Sequence, residues 1–400
     1  MLYMTQRGQD TTDRSPFRSR RDVLAGLGAA SVVGLAGCSS GGDGSDTSSS
    51  ASDGGSDPTT SPSDGGSGTT SSPSDGGSGT TSSPSDGGSG TTTGGGSDLA
   101  DSMTIFHAGS LAPPFSAAEP QFEEEYDVDV TREAKGSVAS TQKITQQGRK
   151  ADVLGVSDFR LIRNRIVPDY GDWYAIFTTN SMSIQYREDS PGAGDISTDN
   201  WWEVLGRDGV TIGHSDPAVD PGGYRAVMAQ QLGATEFEGE RLYDEATYQQ
   251  LRENSTVPTG TETNLEGQLA SGELDYVFYY QSISSTSDMP FVDLQPEVDL
   301  SKASSEYAEH YATATVETDS GSFSGAPIAY GSTVPGVANA PGRGAQWVEY
   351  FATDPGRSIL EARGLVPVDP IVVPASAATS VPDRVLDVAD PKRALGPLEL

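Results

Sequence analysis

Residues 63–73 and 74–84 are the same eleven residues, SDGGSGTTSSP, and 85–90 begin the unit a third time. This run sits inside a longer stretch, 39–98, made almost wholly of Ser, Gly, Thr, Asp and Pro. A polar eleven-residue unit is too short for a solenoid or propeller repeat. Without apolar side chains to bury, such a segment cannot offset the entropy of ordering its backbone. The stretch 39–100 is therefore expected to be a flexible linker spanning roughly 40–45 Å on average. Any folded body has to come from the chain beyond it, about 101–385, which is long enough for two lobes around separate cores.

Charge narrows the function classes. Lys and Arg number 25 against 57 Asp and Glu, a net charge of −32, and only five of the basic residues are lysines. Nucleic acid is excluded as a partner, because its phosphates need a basic face. An acidic surface poor in lysine suits a halophilic protein, since high salt screens the self-repulsion.

The N-terminus reads as an address. In SRRDVLAGLGAASVVGLAGC (19–38), Arg20 and Arg21 form a twin-arginine pair, and the mild apolar stretch from Val23 to Gly37 is of signal-peptide length, short for a membrane span. It ends at Leu35-Ala36-Gly37-Cys38, a lipobox-like sequence. Residues 1–38 are thus expected to be a twin-arginine lipoprotein signal. The mature chain would begin at a lipidated Cys38, anchored at the extracellular face of the membrane by a tether. Cys38 is the one cysteine in the chain, so neither an internal disulfide nor a cysteine metal cluster can form.

Beyond residue 100, apolar runs alternate with helical patterns. Strand-like runs occur at 103–111, 128–137, 151–158, 210–217, 274–284 and 327–335; WYAIFTTNSMSIQYR (173–187) is long enough to cross between two lobes. Helical patterns occupy the intervals and close the fold from Ala345 to Arg363. This alternation predicts an α/β fold with parallel sheets, whose ligands bind beyond the carboxyl ends of the strands. Three of those ends, HAGSL (107–111), AKGSVAS (134–140) and SDPAVDPGGYR (215–225), carry small or turn residues into helix starts. Free backbone N–H groups there favour an anion, and Ser110, Ser137 and Ser140 add hydroxyl donors. The same residues also serve as ordinary helix caps, and Asp220 as a turn-former or N-cap.

The ordered set FHAGSL (106–111), AKGS (134–137), Asp152 with Asp158, DPxxDPxGYR (216–225) and SGELDY (271–276) resembles archaeal tungstate/molybdate-binding proteins of ABC importers, over about 103–375. The resemblance implies a two-lobed periplasmic-binding-protein-like fold of type II with a cleft between lobes. It assigns lobe 1 to 101–182 and 325–385, lobe 2 to 183–324, and a C-terminal tail to 386–400. It further implies oxyanion donors at Ser110 and Ser137, and carboxylate ligands of the tungsten or molybdenum centre at Asp220 and Glu262, with Glu266 as the alternative to Glu262. Tyr280 would line the pocket. Many relatives carry Cys where this chain has Gly222. A carboxylate repels sulfate or phosphate, but tungsten and molybdenum can expand their coordination to accept it, so the same group selects against the commoner anions. The implied protein is a monomer without cofactor that hands its ligand to permease and ATPase subunits.

Two other classes stand beside this reading. A receptor for sulfate, phosphate or another small anion would use arginine clamps, and only Arg225 lies near a pocket turn. A serine hydrolase would need a nucleophile elbow, which the folded region lacks, and His107, His214 and His310 are scattered without metal-ligand spacing. The chain is accordingly expected not to be an enzyme.

Overall fold

The computed structural model describes residues 99–258 and 262–400, less the side chain of Thr263. The twin arginines, Cys38 and the repeat-bearing linker lie outside the described residues.

Two sheets organise the chain. The larger has seven strands, in the spatial order Ala389–Lys392, Val366–Pro374, Ala175–Thr179, Ala329–Thr333, Val153–Val156, Ser102–His107 and Asp129–Ala134. The smaller has five: Ser255–Thr256, Ile212–Gly213, Tyr276–Tyr280, Met182–Tyr186 and Phe291–Asp293. Strand periodicity explains why the larger sheet is covered on both faces. Ile105, Val153, Ala175 and Phe177 point into one core with Phe115, Phe122, Trp347 and Phe351. Their neighbours Phe106, Leu154 and Ile176 point into another with Ile144, Phe159 and Ile162. The smaller sheet repeats the device: Tyr276, Phe278 and Tyr280 face the main core, while Val277 and Tyr279 pack with Leu265 and Leu269.

The expectation of parallel sheets holds only in part. Ser102–His107 pairs in parallel with both its neighbours, but Ala329–Thr333 lies antiparallel to Val153–Val156 and to Ala175–Thr179. In the smaller sheet Met182–Tyr186 is antiparallel to Tyr276–Tyr280. The physical reason is the crossing. The chain leaves the larger sheet at Thr179 and joins the smaller at Met182, and a strand that returns from the other sheet enters the first from the opposite end. The helical pattern expected over 345–363 forms two helices, Pro341–Tyr350 and Asp354–Ala362, with Pro355 opening the second at its first turn. Within the C-terminal tail 386–400, Ala389–Lys392 pairs in parallel with Ile371–Pro374 at the sheet edge.

Candidate functional site

The three small-residue turns and two further strand ends converge between the sheets. Ser110 sits in the single turn Gly109–Leu111, directly after the strand Ser102–His107, and its hydroxyl is buried without a hydrogen-bond partner among the described residues. Ser137 is the first residue of the helix Ser137–Thr145. Gly136, before it, is required by contact: a Cβ there would collide with the Val219 carbonyl and meet Asp220 Cβ at 3.0 Å. The Val219 carbonyl also accepts from Ala139 N–H at 3.3 Å, so a loop from the smaller sheet docks on the first turn of a helix from the larger one.

Asp220 fulfils its alternative reading as a helix cap and exceeds it. One oxygen, Oδ1, accepts from Gly222 N–H at 3.0 Å and starts the helix Pro221–Gly233. The other, Oδ2, is buried and has no hydrogen-bond partner among the described residues. Glu262 opens the helix Glu262–Ser271; it is 4 % exposed, and among the described residues neither carboxylate oxygen completes a hydrogen bond of full geometry. Its backbone carbonyl is fixed by Tyr279 OH at 2.8 Å. A Cβ on Gly222 would lie 2.6 Å from Glu262 Oε1, so the two carboxylates share one helix start. Glu266, one turn on, is exposed and bonds to Ser287 instead. The turn carrying Ser110 packs against the Glu262–Ser271 helix.

Ser157 is the residue that sequence reasoning missed. It follows the strand Val153–Val156, and its N–H donates to Ser137 Oγ at 3.0 Å. Its own hydroxyl lies 3.1 Å from Ser137 Oγ and accepts from Tyr280 OH at 3.3 Å. Arg225 donates from Nη1 to the Ser157 carbonyl at 2.8 Å and to Tyr280 OH at 2.6 Å. Ser137, Ser157, Tyr280 and Arg225 thus form one buried chain of hydrogen bonds across both sheets. Ser140, the third hydroxyl on these turns, is used structurally and donates to the His107 carbonyl at 3.3 Å.

Electrostatics reflect this confinement. Burial raises the Asp220 carboxyl to about 6, against the pull of the Gly222 N–H. Burial, and then the Asp220 charge, push Glu262 well above the usual carboxylate range, opposed by Arg225 and the Ser110 backbone N–H. Each orphaned buried oxygen costs on the order of 1–3 kcal/mol, and four stand together here: Ser110 Oγ, Asp220 Oδ2 and both oxygens of Glu262. A cluster this costly is not retained for stability. Hydroxyls beside carboxylates suit a guest that presents oxygen acceptors to the one and an electrophilic centre to the other.

The histidines take no part. His107 and His214 are buried, bond through Nδ1 to Ala108 O and Ser215 O, and are pushed down to about 4 by burial, which keeps them neutral. His310 bonds to the Glu297 carbonyl. Among the described residues no three His, Cys, Asp or Glu side chains are grouped to hold a metal ion.

Known proteins agree with this architecture. A family model described as bacterial extracellular solute-binding protein matches residues 103–366. A solute-binding protein of Methanoculleus marisnigri is 36 % identical over 315 residues, covering 72 % of this chain and 87 % of that one. The molybdate/tungstate-binding protein WtpA of Pyrococcus abyssi is 32 % identical over 316 residues, covering 72 % and 90 %. Among solved structures, the sulfate-binding protein SubI of Mycobacterium tuberculosis shares the fold with a TM-score of 0.51 at 15 % identity, covering 71 % of this chain and 92 % of that one. By the extent of the family match and the identity to these relatives, the chain belongs to the extracellular solute-binding proteins.

Proposed function

We propose that this protein captures molybdate or tungstate and delivers it to an ABC importer. The observation that carries the reading is the group of orphaned oxygens on Asp220 and Glu262, buried beside the serine hydroxyls. Ser110 and Ser137 donate to the oxyanion oxygens, with Tyr280 holding Ser157 at the wall. Asp220 Oδ2 and a Glu262 oxygen coordinate the metal atom of the anion, which a sulfur or phosphorus centre cannot accept. The WtpA relative, described as binding the same two anions, supports this choice over a general anion receptor. Among the described residues the site pairs no nucleophile with a base, and no catalytic role is assigned.

The protein works outside the cell with permease and ATPase subunits, as a monomer. Export by Arg20 and Arg21 and lipidation at Cys38 would hold it at the membrane surface, and its net charge of −32 fits a high-salt medium. Lobe 1 comprises 101–182 and 325–385, with 183–324 as lobe 2.

Calorimetric titration of the protein with molybdate, tungstate and sulfate tests the reading. Saturable one-to-one binding of the first two, with sulfate at least about a hundredfold weaker, is expected. Equal affinity for sulfate would reject metal coordination by the carboxylates. Retention of Cys38→Ala in the membrane fraction of the native host would reject the lipid anchor.

A further inference from the structure

A second buried cluster joins the two sheets, outside the oxygens assigned to the anion. Asp158 ends the segment that follows the strand Val153–Val156 of the larger sheet. It accepts from Tyr224 OH at 2.7 Å and lies 3.6 Å from Arg225 Nη2, and the carboxylate and guanidinium side chains are only 2–3 % exposed. Tyr224 and Arg225 both belong to the helix Pro221–Gly233, which packs on the smaller sheet. On its own side, Asp158 is gripped by Arg160 through bonds of 2.7–3.2 Å. The Tyr224 ring stacks on Phe323 at 4.3 Å, and Phe323 lies in the hairpin Thr315–Ser324, whose Ser324 carbonyl accepts from Arg160 at 2.9 Å.

The candidate site is closed to solvent: Ser137 is 0 %, Asp220 2 % and Glu262 4 % exposed. A ligand can enter or leave only if the sheets separate. Separation breaks the Tyr224 and Arg225 contacts to Asp158, and the Arg225 bond to the Ser157 carbonyl, while leaving Arg160 in place. The charges also sort themselves. Asp158 and Arg160 neutralise one another, so Arg225 brings an uncompensated positive charge, with a buried Nε that has no hydrogen-bond partner among the described residues. It sits about one and a half helical turns from Asp220 on the same helix. Closing therefore places a cation against Ser157 and Tyr280, within Coulombic reach of the two carboxylates, at the moment an anion is enclosed.

We infer that Asp158, Tyr224 and Arg225 form a clamp between the sheets, and that these positioning residues set how long an enclosed anion is retained without touching it. The inference about retention rests on the proposed function. Contacts made only in the closed molecule act on the release rate, whereas capture by the open molecule does not involve them.

The test uses the full chain with Tyr224→Phe, which keeps the ring on Phe323 and removes only the hydroxyl. In stopped-flow measurements with molybdate, release should accelerate about tenfold, the scale of a lost hydrogen bond to a charged group, with capture changed by less than about twofold. A lower melting temperature with an unchanged release rate would show a purely structural role and overturn the clamp. A second measurement needs no ligand. With Cys38→Ala removing the native thiol, Glu124→Cys and Glu203→Cys place spin labels on exposed helices of the two lobes. Tyr224→Phe should increase the long-distance population of the ligand-free chain, and an unaltered distribution would overturn the clamp. Wild type that binds neither molybdate nor tungstate would overturn the proposed function instead, and the distance measurement would still judge the clamp.

Discussion

The two walls of the buried site are built from different chemistry. The larger sheet contributes neutral donors, Ser110, Ser137 and Ser157, each on a turn that follows a strand. The smaller sheet contributes charge, Asp220 and Glu262, each at the start of a helix of ten or more residues. Hydroxyls tolerate burial cheaply when paired, and Ser137 and Ser157 satisfy one another. Carboxylates do not, and among the described residues Asp220 Oδ2 and both Glu262 oxygens are left without partners, joined on the donor side only by Ser110 Oγ. The donor wall is preformed, whereas the charged wall is held in a state that a suitable guest would relieve. In our reading, the first wall supplies affinity for any tetrahedral oxyanion and the second decides which one stays.

The most severe way to break that division is to neutralise the charged wall. Asp220→Asn and Glu262→Gln preserve shape and remove the anionic ligand. Each should weaken molybdate and tungstate binding by about a hundredfold or more, while sulfate binding holds level or rises as repulsion disappears. Titration calorimetry with both anions reads the result, and loss of sulfate and molybdate binding in parallel would reject the division. Asp220→Asn must still cap its helix, since Asn is as good an N-cap as Asp, so a folding defect would not explain the loss.

The same variants carry a pH signature in the ligand-free protein. A carboxyl whose folded pKa is raised binds its proton more tightly in the folded state, so its stabilising contribution is complete below its unfolded pKa and disappears as pH rises through the folded value. For Asp220 that window runs from 3.8 to about 6. For Glu262 it begins at 4.5 and extends well above. Ligand-free wild type should therefore lose stability relative to the Asp220→Asn, Glu262→Gln double variant as pH is raised from 4 to 7. Parallel melting curves for the two across that range would show that the carboxylates are not confined as described.

Weakening the neutral wall should cost less. Ser110→Ala removes a hydroxyl that completes no hydrogen bond among the described residues, so stability should change little while affinity for both molybdate and sulfate falls about tenfold. Ser137→Ala strands the Ser157 N–H and should lower the melting temperature as well. A loss confined to molybdate would assign selectivity to the donor wall and reverse the comparison.

The donor wall was the easier half to read in the sequence. Continuous apolar runs such as Ile105-Phe106 and Val153-Leu154 mark strands covered on both faces, and small residues after a strand mark a turn into a helix. Ser157 escaped because VLGVSD has no feature that separates a hub from an ordinary strand end. Its importance arises from Gly136, which lets another loop approach, and from Tyr280, 123 residues away. The charged wall was reached only through the resemblance carried by DPxxDPxGYR and SGELDY. Asp220 looks like a cap and is one, and Glu262 differs from Glu266 only by one turn of the same helix, the first being buried at the site and the second exposed. The antiparallel return of Ala329–Thr333 was hidden for a similar reason: local periodicity reports which face of a strand is buried and carries no record of the direction in which a distant strand enters the sheet.

Gly222 offers the finest division between the walls. It lies in the first turn of the helix Pro221–Gly233, where alanine is intrinsically preferred to glycine by roughly 0.5–1 kcal/mol. Nothing in its backbone requires glycine, since its φ is not among the positive values in the fold. Space is the constraint: a Cβ would stand 2.6 Å from Glu262 Oε1 and 3.2 Å from Ser215 Oγ. The carboxylate is the far end of a flexible side chain, so it can yield without the backbone moving. Gly222→Ala should therefore leave the melting temperature of the ligand-free protein unchanged or slightly raised, while shifting Glu262 and weakening molybdate binding several-fold, about 1 kcal/mol. Sulfate affinity, set by the hydroxyls, should stay within about twofold. A structural role for Gly222 predicts the reverse order of effects, with stability falling first and both anions affected alike. Melting curves and paired titrations of this one variant separate the two, because the expected gain in stability and the expected loss of molybdate affinity have opposite signs.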